Sequence, residues 1–277
     1  MCFSLIANAQ QAFVLGEIIE LPSRQLGETR TLNIYLPDGY HSTDDTGRYR
    51  VIYLLDGSAH EDFPHIAGLV QFYEMMGLMP KTIVVGIANV NRRRDFTFPV
   101  TKGASEKAHA GGAKTDEFWA FANKEMLDPK YGHSAAFMAF VETELQPYIS
   151  ARYRTAQRTL IGQSLGGLMA TEFLVKKPQL FDDYIIVSPS LWWDHESLIK
   201  LVDAQQLSGK TVYIAVGKEG DVMEQDAVQL AALLQQNKSI HLIFRPMDKE
   251  THATILHNAV YDAFRTLYSR NYMGDGH

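Results

Sequence analysis

The sequence predicts an α/β fold with a mostly parallel central sheet of about eight strands and helices on both faces, and three observations predict it. From residue 50 onward, short apolar β-rich runs alternate with helix-length amphipathic stretches, the pattern of parallel strands joined by crossover helices. Those runs are apolar throughout, as strands buried on both faces must be. The chain has 277 residues, 46% of them hydrophobic, enough for a core that buries about 75% of the unfolded surface without a disulfide or metal staple.

Taken in order, residues 12–21 and 29–36 read as an antiparallel pair leading into the sheet, the second closed by Pro37, Asp38 and Gly39. The first central strand is 51–55, and 83–87, 159–161, 184–187, 212–216 and 240–244 repeat its character. Helices are expected at 60–76, 134–151, 164–177, 196–206, 221–236 and 253–268. Ser134 precedes Phe137, Phe140, Val141, Leu145 and Tyr148, so it is the expected N-cap of a helix with one buried face. Residues 91–133 break the alternation. Rich in Gly, Ala and charge, they are too long for an ordinary connection, and they read either as a lid or as a solvated insertion with a short helix at 116–126. The run from Arg92 to Arg94 reads as a solvated or salt-bridged turn, with an anion site as the alternative.

Residues 12–277 are expected to form one domain. Residues 1–11 read as a signal-peptide remnant, since Ala7, Asn8 and Ala9 fit a small-x-small cleavage pattern, or as an unremarkable terminus, since no Lys or Arg precedes the apolar stretch. The compartment therefore stays open between periplasmic or secreted and cytoplasmic. No run approaches 18 apolar residues, so no membrane span is expected. Cys2 is the sole cysteine, which excludes intramolecular disulfides, Cys-based zinc sites, iron–sulfur clusters and Cys-X-X-Cys redox chemistry. With 26 Lys+Arg against 32 Asp+Glu the net charge is −6, and no basic field favours nucleic acid.

The strongest chemical signal is Gly162-Gln163-Ser164-Leu165-Gly166-Gly167, directly after a strand and directly before a helix. This is the setting of a nucleophile elbow. Strand and helix pack too closely there for Cβ atoms at Gly162 and Gly166, and Ser164 stands at a helix N-terminus, where the Leu165 N–H favours a developing oxyanion. A serine hydroxyl needs a base. Among the histidines beyond the seventh strand, His252 alone falls on the loop after the last strand, whereas His241 lies in that strand and His257 in the last helix. The carboxylate that holds the base is expected just past 212–216; Glu219 is the candidate, with Asp221 in reserve because it also suits the N-cap of the next helix. The order Ser164, Glu219, His252 is that of α/β-hydrolases and neither the chymotrypsin nor the subtilisin order. A second oxyanion donor is expected after the first central strand, where Gly57 would turn the Ser58 N–H toward Ser164. Trp192 and Trp193 follow the sixth strand near the pocket mouth, one expected to pack and the other to line the pocket.

The stretches LLDG at 54–57, NRRRD at 91–95, FVETELQPYISARYRT at 140–155, GQSLGG at 162–167, SPSLWWD at 188–194, Gly-x-Glu-Gly at 217–220 and ETH at 250–252 resemble the esterase D-like branch of α/β-hydrolases. Within it they are similar to enterochelin-esterase-like and feruloyl-esterase-like proteins. The resemblance covers most of the chain after residue 30. It implies an α/β-hydrolase fold, Ser164 as nucleophile and His252 as base; Gln163 stands where such proteins more often carry His, and 112–131 reads as an insertion. The expected activity is hydrolysis of a small-molecule carboxylic ester through an acyl-enzyme, with no metal or organic cofactor. An acyltransferase using the same residues and an inactive binding protein on the same fold are the alternatives. Oligomeric state is not legible.

Overall fold

The computed structural model describes residues 11–41, 46–101 and 113–268. Eight strands form one sheet: β1 Glu17–Ser23, β2 Glu28–Tyr35, β3 Tyr49–Leu54, β4 Thr82–Ile87, β5 Thr155–Gln163, β6 Asp183–Val187, β7 Thr211–Gly217 and β8 His241–Met247. Their spatial order is β1-β2-β4-β3-β5-β6-β7-β8. β1 pairs antiparallel with β2, and β2 with β4; every other pairing is parallel. The mostly parallel α/β class is as the sequence predicts. The N-terminal stretch read as a possible signal remnant lies, up to residue 10, outside the described residues, as does 102–112 of the 91–133 segment.

The helices are α1 Phe63–Met75, α2 Arg92–Phe96, α3 Ala113–Met126, α4 Ser134–Phe140, α5 Gln146–Arg152, α6 Leu165–Lys176, α7 Asp221–Leu234 and α8 Ile255–Leu267. The period-2 pleat divides strand side chains between two helical layers. Val51 and Tyr53 of β3, with Val212 and Ile214 of β7, face the layer that contains α6 and α7, while Ile52, Leu54, Tyr213 and Ala215 face α1 and α8. Both faces are therefore apolar, which is why the strands read as unbroken hydrophobic runs.

Three local expectations are corrected. The helix expected at 134–151 contains a widened π-turn, Val141–Leu145, between α4 and α5; Pro147 just beyond has no N–H to continue the ordinary ladder. Its N-cap is His133, with no side-chain cap bond, and not Ser134, which is the first helical residue and gives its N–H to Thr97 O at 2.9 Å. The helix expected at 196–206 is two 3₁₀ turns, Ile199–Leu201 and Ala204–Leu207. Asp194, His195 and Glu196 carry φ of 49°, 51° and 61°, a left-handed run that no α-helix can include, and Asp203 caps the second turn by accepting from Gln205 N–H.

The three arginines of α2 are salt-bridged. Arg92 pairs with Asp56, Arg93 with Glu125, and Arg94 with Glu28 and Asp95. Below them, Arg30 and Asp95, both fully buried, meet at 2.6 Å. This network ties α2 to β2 and to the loop after β3, and so fixes one wall of the cleft above the C-terminal strand ends.

Candidate active site

β5 runs into the sheet core and stops at Gln163; α6 starts at Leu165. Ser164 makes the turn between them with φ 60° and ψ −120°, a strained conformation for a residue with a side chain. The turn is this tight because a Cβ on Gly162 would lie 2.3 Å from Gly166 O. Ser164 N–H donates to Val187 O (3.0 Å), and Ser164 O accepts from Leu168 and Ser190 N–H (2.9 and 3.0 Å), so the backbone is pinned on three sides. The hydroxyl is left at the floor of a cleft of about 520 Å³.

His252 lies on the exposed loop after β8 and lines the same cleft. Its Nδ1 is 2.6 Å from Glu219 Oε2. Glu219 comes from the loop after β7 with only 3% of its side chain exposed. Its other oxygen accepts from Gly217 N–H at 3.0 Å and from the Ser188 hydroxyl. Burial pushes this carboxyl up, but the hydrogen bonds from His252 and Ser188, the histidine's charge and the Gly217 N–H together outweigh it and hold it below the usual glutamate range. An ionised Glu219 fixes the proton on Nδ1 and leaves Nε2 as an acceptor. Asp221 sits at the first position of α7, capped by Gly220, and makes no hydrogen bond with His252. In this structure the Ser164 hydroxyl is bonded to Ser190 Oγ at 3.4 Å and not to His252. Resting active sites are often loosely aligned in this way.

Leu165 and both tryptophans line the cleft. Trp193 is buried and donates from Nε1 to Phe98 O (2.8 Å). Trp192 meets Phe118 edge-on at 5.7 Å. Both residues reach the cleft, and Trp193, 1% exposed and tied to Phe98, is the more deeply packed of the two. The turn leading to the left-handed run at 194–196 sets the two rings 55° apart, so neighbours in sequence share one cavity wall.

Ser58 is not at the site. Its N–H donates to Glu61 Oε2 (3.3 Å), and it does not line the cleft. Gly57 serves a different need: a Cβ there would lie 2.4 Å from Gly86 Cα, so the glycine lets the loop pass β4. A cationic group that shares the cleft with Ser164 and Leu165 is Arg92. Its guanidinium grips both oxygens of Asp56 (2.7 and 2.9 Å) and also donates to Gln163 O (3.2 Å). The run Arg92 to Arg94 was the only sequence signal for it, and charge runs usually mark solvated faces. Arg93, Lys218, Phe121 and Tyr131 complete an aromatic cleft whose cations are paired, Arg93 with Glu125 of the same lining and Lys218 with Glu224. Among the described residues, no group of three or more His, Cys, Asp or Glu is placed to hold a metal ion, and no helix is long and apolar enough to cross a membrane.

The model of the family described as "Putative esterase" matches residues 23–129 and 128–258. The chain belongs to this esterase family. The ferri-bacillibactin esterase BesA of Bacillus subtilis is 30% identical over 189 residues, which is 64% of this chain and 59% of that protein; the match thus spans less than two thirds of the curated relative's length. The crystal structure of an IroE-like serine hydrolase from Shewanella oneidensis superposes with a TM-score of 0.74 at 30% identity, covering 91% of this chain and 80% of the other. The BES protein from Bacillus cereus, 24% identical with a TM-score of 0.75 over 95% of this chain and 99% of the other, shares the fold.

Proposed function

We propose that this esterase-family protein hydrolyses carboxylic esters through a serine acyl-enzyme. The observation that carries the reading is the buried Glu219 carboxylate bonded to His252 at 2.6 Å, in the cleft that also holds the strained Ser164. In the reaction the Ser164 hydroxyl turns from Ser190 to His252 Nε2, gives up its proton and attacks the ester carbonyl. The oxyanion meets the Leu165 N–H at the start of α6 and the Arg92 guanidinium, which Asp56 holds in place, so that the charge is met by donors that need no rearrangement. His252 returns the proton to the leaving alcohol, and a water activated by the same histidine releases the acid. Water reaches His252 readily, its side chain being 46% exposed. This favours hydrolysis over transfer to an alcohol.

Relatives that include siderophore esterases of Aspergillus fumigatus and Emericella nidulans, together with aromatic cleft walls suited to aryl groups, support a siderophore-type ester as substrate. We read α3, in the described part of the 91–133 segment, as a lid on a single domain, since it carries Phe118, Phe121 and Glu125 into the cleft wall. Nitrophenyl butyrate and enterobactin, assayed with wild type and S164A, test the reading. Wild type should cleave both, with ring-opened enterobactin seen by mass spectrometry, and S164A neither. Undiminished turnover by S164A ends the proposal, and ester products formed with added alcohols would favour the acyltransferase.

A further inference from the structure

We infer that Gln163 is a positioning residue that tethers the His252 loop to the nucleophile turn; this rests on the Ser164 and His252 reading above. Gln163 Nε2 donates to the main-chain oxygen of His252 at 2.5 Å. The need for such a tether is visible in the loop. Residues 251–254 are all exposed, and their own bonds, Thr254 N–H to Thr251 O and Thr251 N–H to Thr254 Oγ1, shape the loop without attaching it. Lys218 N–H holds Glu250 O at 2.8 Å, upstream of the base. At His252 itself, among the described residues, the ring is hydrogen-bonded only through Nδ1 to Glu219, and a ring held at one atom swings about that contact. The Gln163 amide supplies the second point.

Gln163 also precedes Ser164 in the chain, and its carbonyl accepts from Arg92. Nucleophile, base and Arg92 are therefore all referenced to one residue at the rigid end of β5. Gln163 does not line the cleft, so it acts through His252 and not on substrate. A displacement of about 1 Å at a reacting group costs up to roughly 100-fold in rate, which sets the scale of the expected effect.

The test uses Q163M, which keeps the length and removes the donor, Q163E, which is isosteric and also removes it, and Q163H, which restores a ring N–H. The expected result is a kcat loss of roughly 10- to 100-fold in Q163M and Q163E, KM unchanged, fluorophosphonate labelling of Ser164 slowed in step, and partial recovery in Q163H. Wild-type kcat and labelling in Q163M and Q163E, or a loss confined to KM, overturns the inference. So does a rate loss matched by an equal loss of folded protein. H252A separates the two levels: if H252A is inactive while Q163M is normal, only the tether is wrong, whereas wild-type turnover by H252A means the base was misassigned.

Discussion

Ser164, Glu219 and His252 come from three loops at one edge of the sheet; one short hydrogen bond joins the acid to the base, and a strained turn presents the serine to the same cleft. Because Glu219 Oε2 is the group at His252, Glu219→Gln should lower kcat by roughly 10²–10⁴-fold by presenting an amide that no longer fixes the tautomer, and Asp221→Asn should leave kcat unchanged; steady-state kinetics on one ester checks both. At the oxyanion, Arg92→Met should cost roughly 10²–10³-fold in kcat by removing the guanidinium, read by the same kinetics; the Ser58 N–H, bonded to Glu61, is a main-chain donor that no side-chain substitution removes. The nucleophile, base and acid candidates were legible because each depends on its place relative to a strand end. Arg92 was not, because a side chain reaching the site from a neighbouring helix leaves no spacing signal, and Gly57 misled because a glycine after a strand looks the same whether it aims an N–H or clears a backbone.

α3 forms one wall of the cleft, and its attachment is specific: Trp119 stacks on His195 at 5.6 Å and 13°, and Phe118 and Phe121 pack on Trp192. Phe121 is half exposed, so its contribution falls on substrate more than on stability. An aromatic contact is worth about 0.5–1.5 kcal/mol; Phe121→Ala should therefore raise KM for aryl esters by roughly 2- to 10-fold, with KM for an acetyl ester and the melting temperature unchanged. Equal KM changes for both esters would mean that the wall does not select. The elements were legible where periodicity and packing agree, as in the central strands and in α6, α7 and α8. The failure at 196–206 is instructive: Leu198, Ile199, Ala204 and Leu207 are all buried, so the apolar spacing was real, but left-handed residues and the Asp203 cap bend the segment into turns that present the same side chains.

Across the whole molecule, the cost of placing charge near this core is most visible at Asp226 of α7, which is 3% exposed with Oδ2 unpartnered. Burial, and then the nearby charge of Glu196, push its carboxyl up to about 8. An unfolded aspartate loses its proton near ~3.9, so between those values the folded state binds the extra proton and stability falls as pH rises. Asp226→Asn removes that penalty. Its unfolding free energy from denaturant titration should match wild type near pH 4 and exceed it increasingly toward pH 8, by roughly 2–5 kcal/mol at about 1.4 kcal/mol per unit; a pH-independent difference would contradict the assignment. The central claim, that one sheet edge assembles a serine nucleophile, is tested most directly by intact-mass and peptide analysis after treatment with a fluorophosphonate. The account predicts one adduct, on Ser164, lost in S164A and strongly slowed in H252A. No adduct, or an adduct on another residue that persists in S164A, would contradict it.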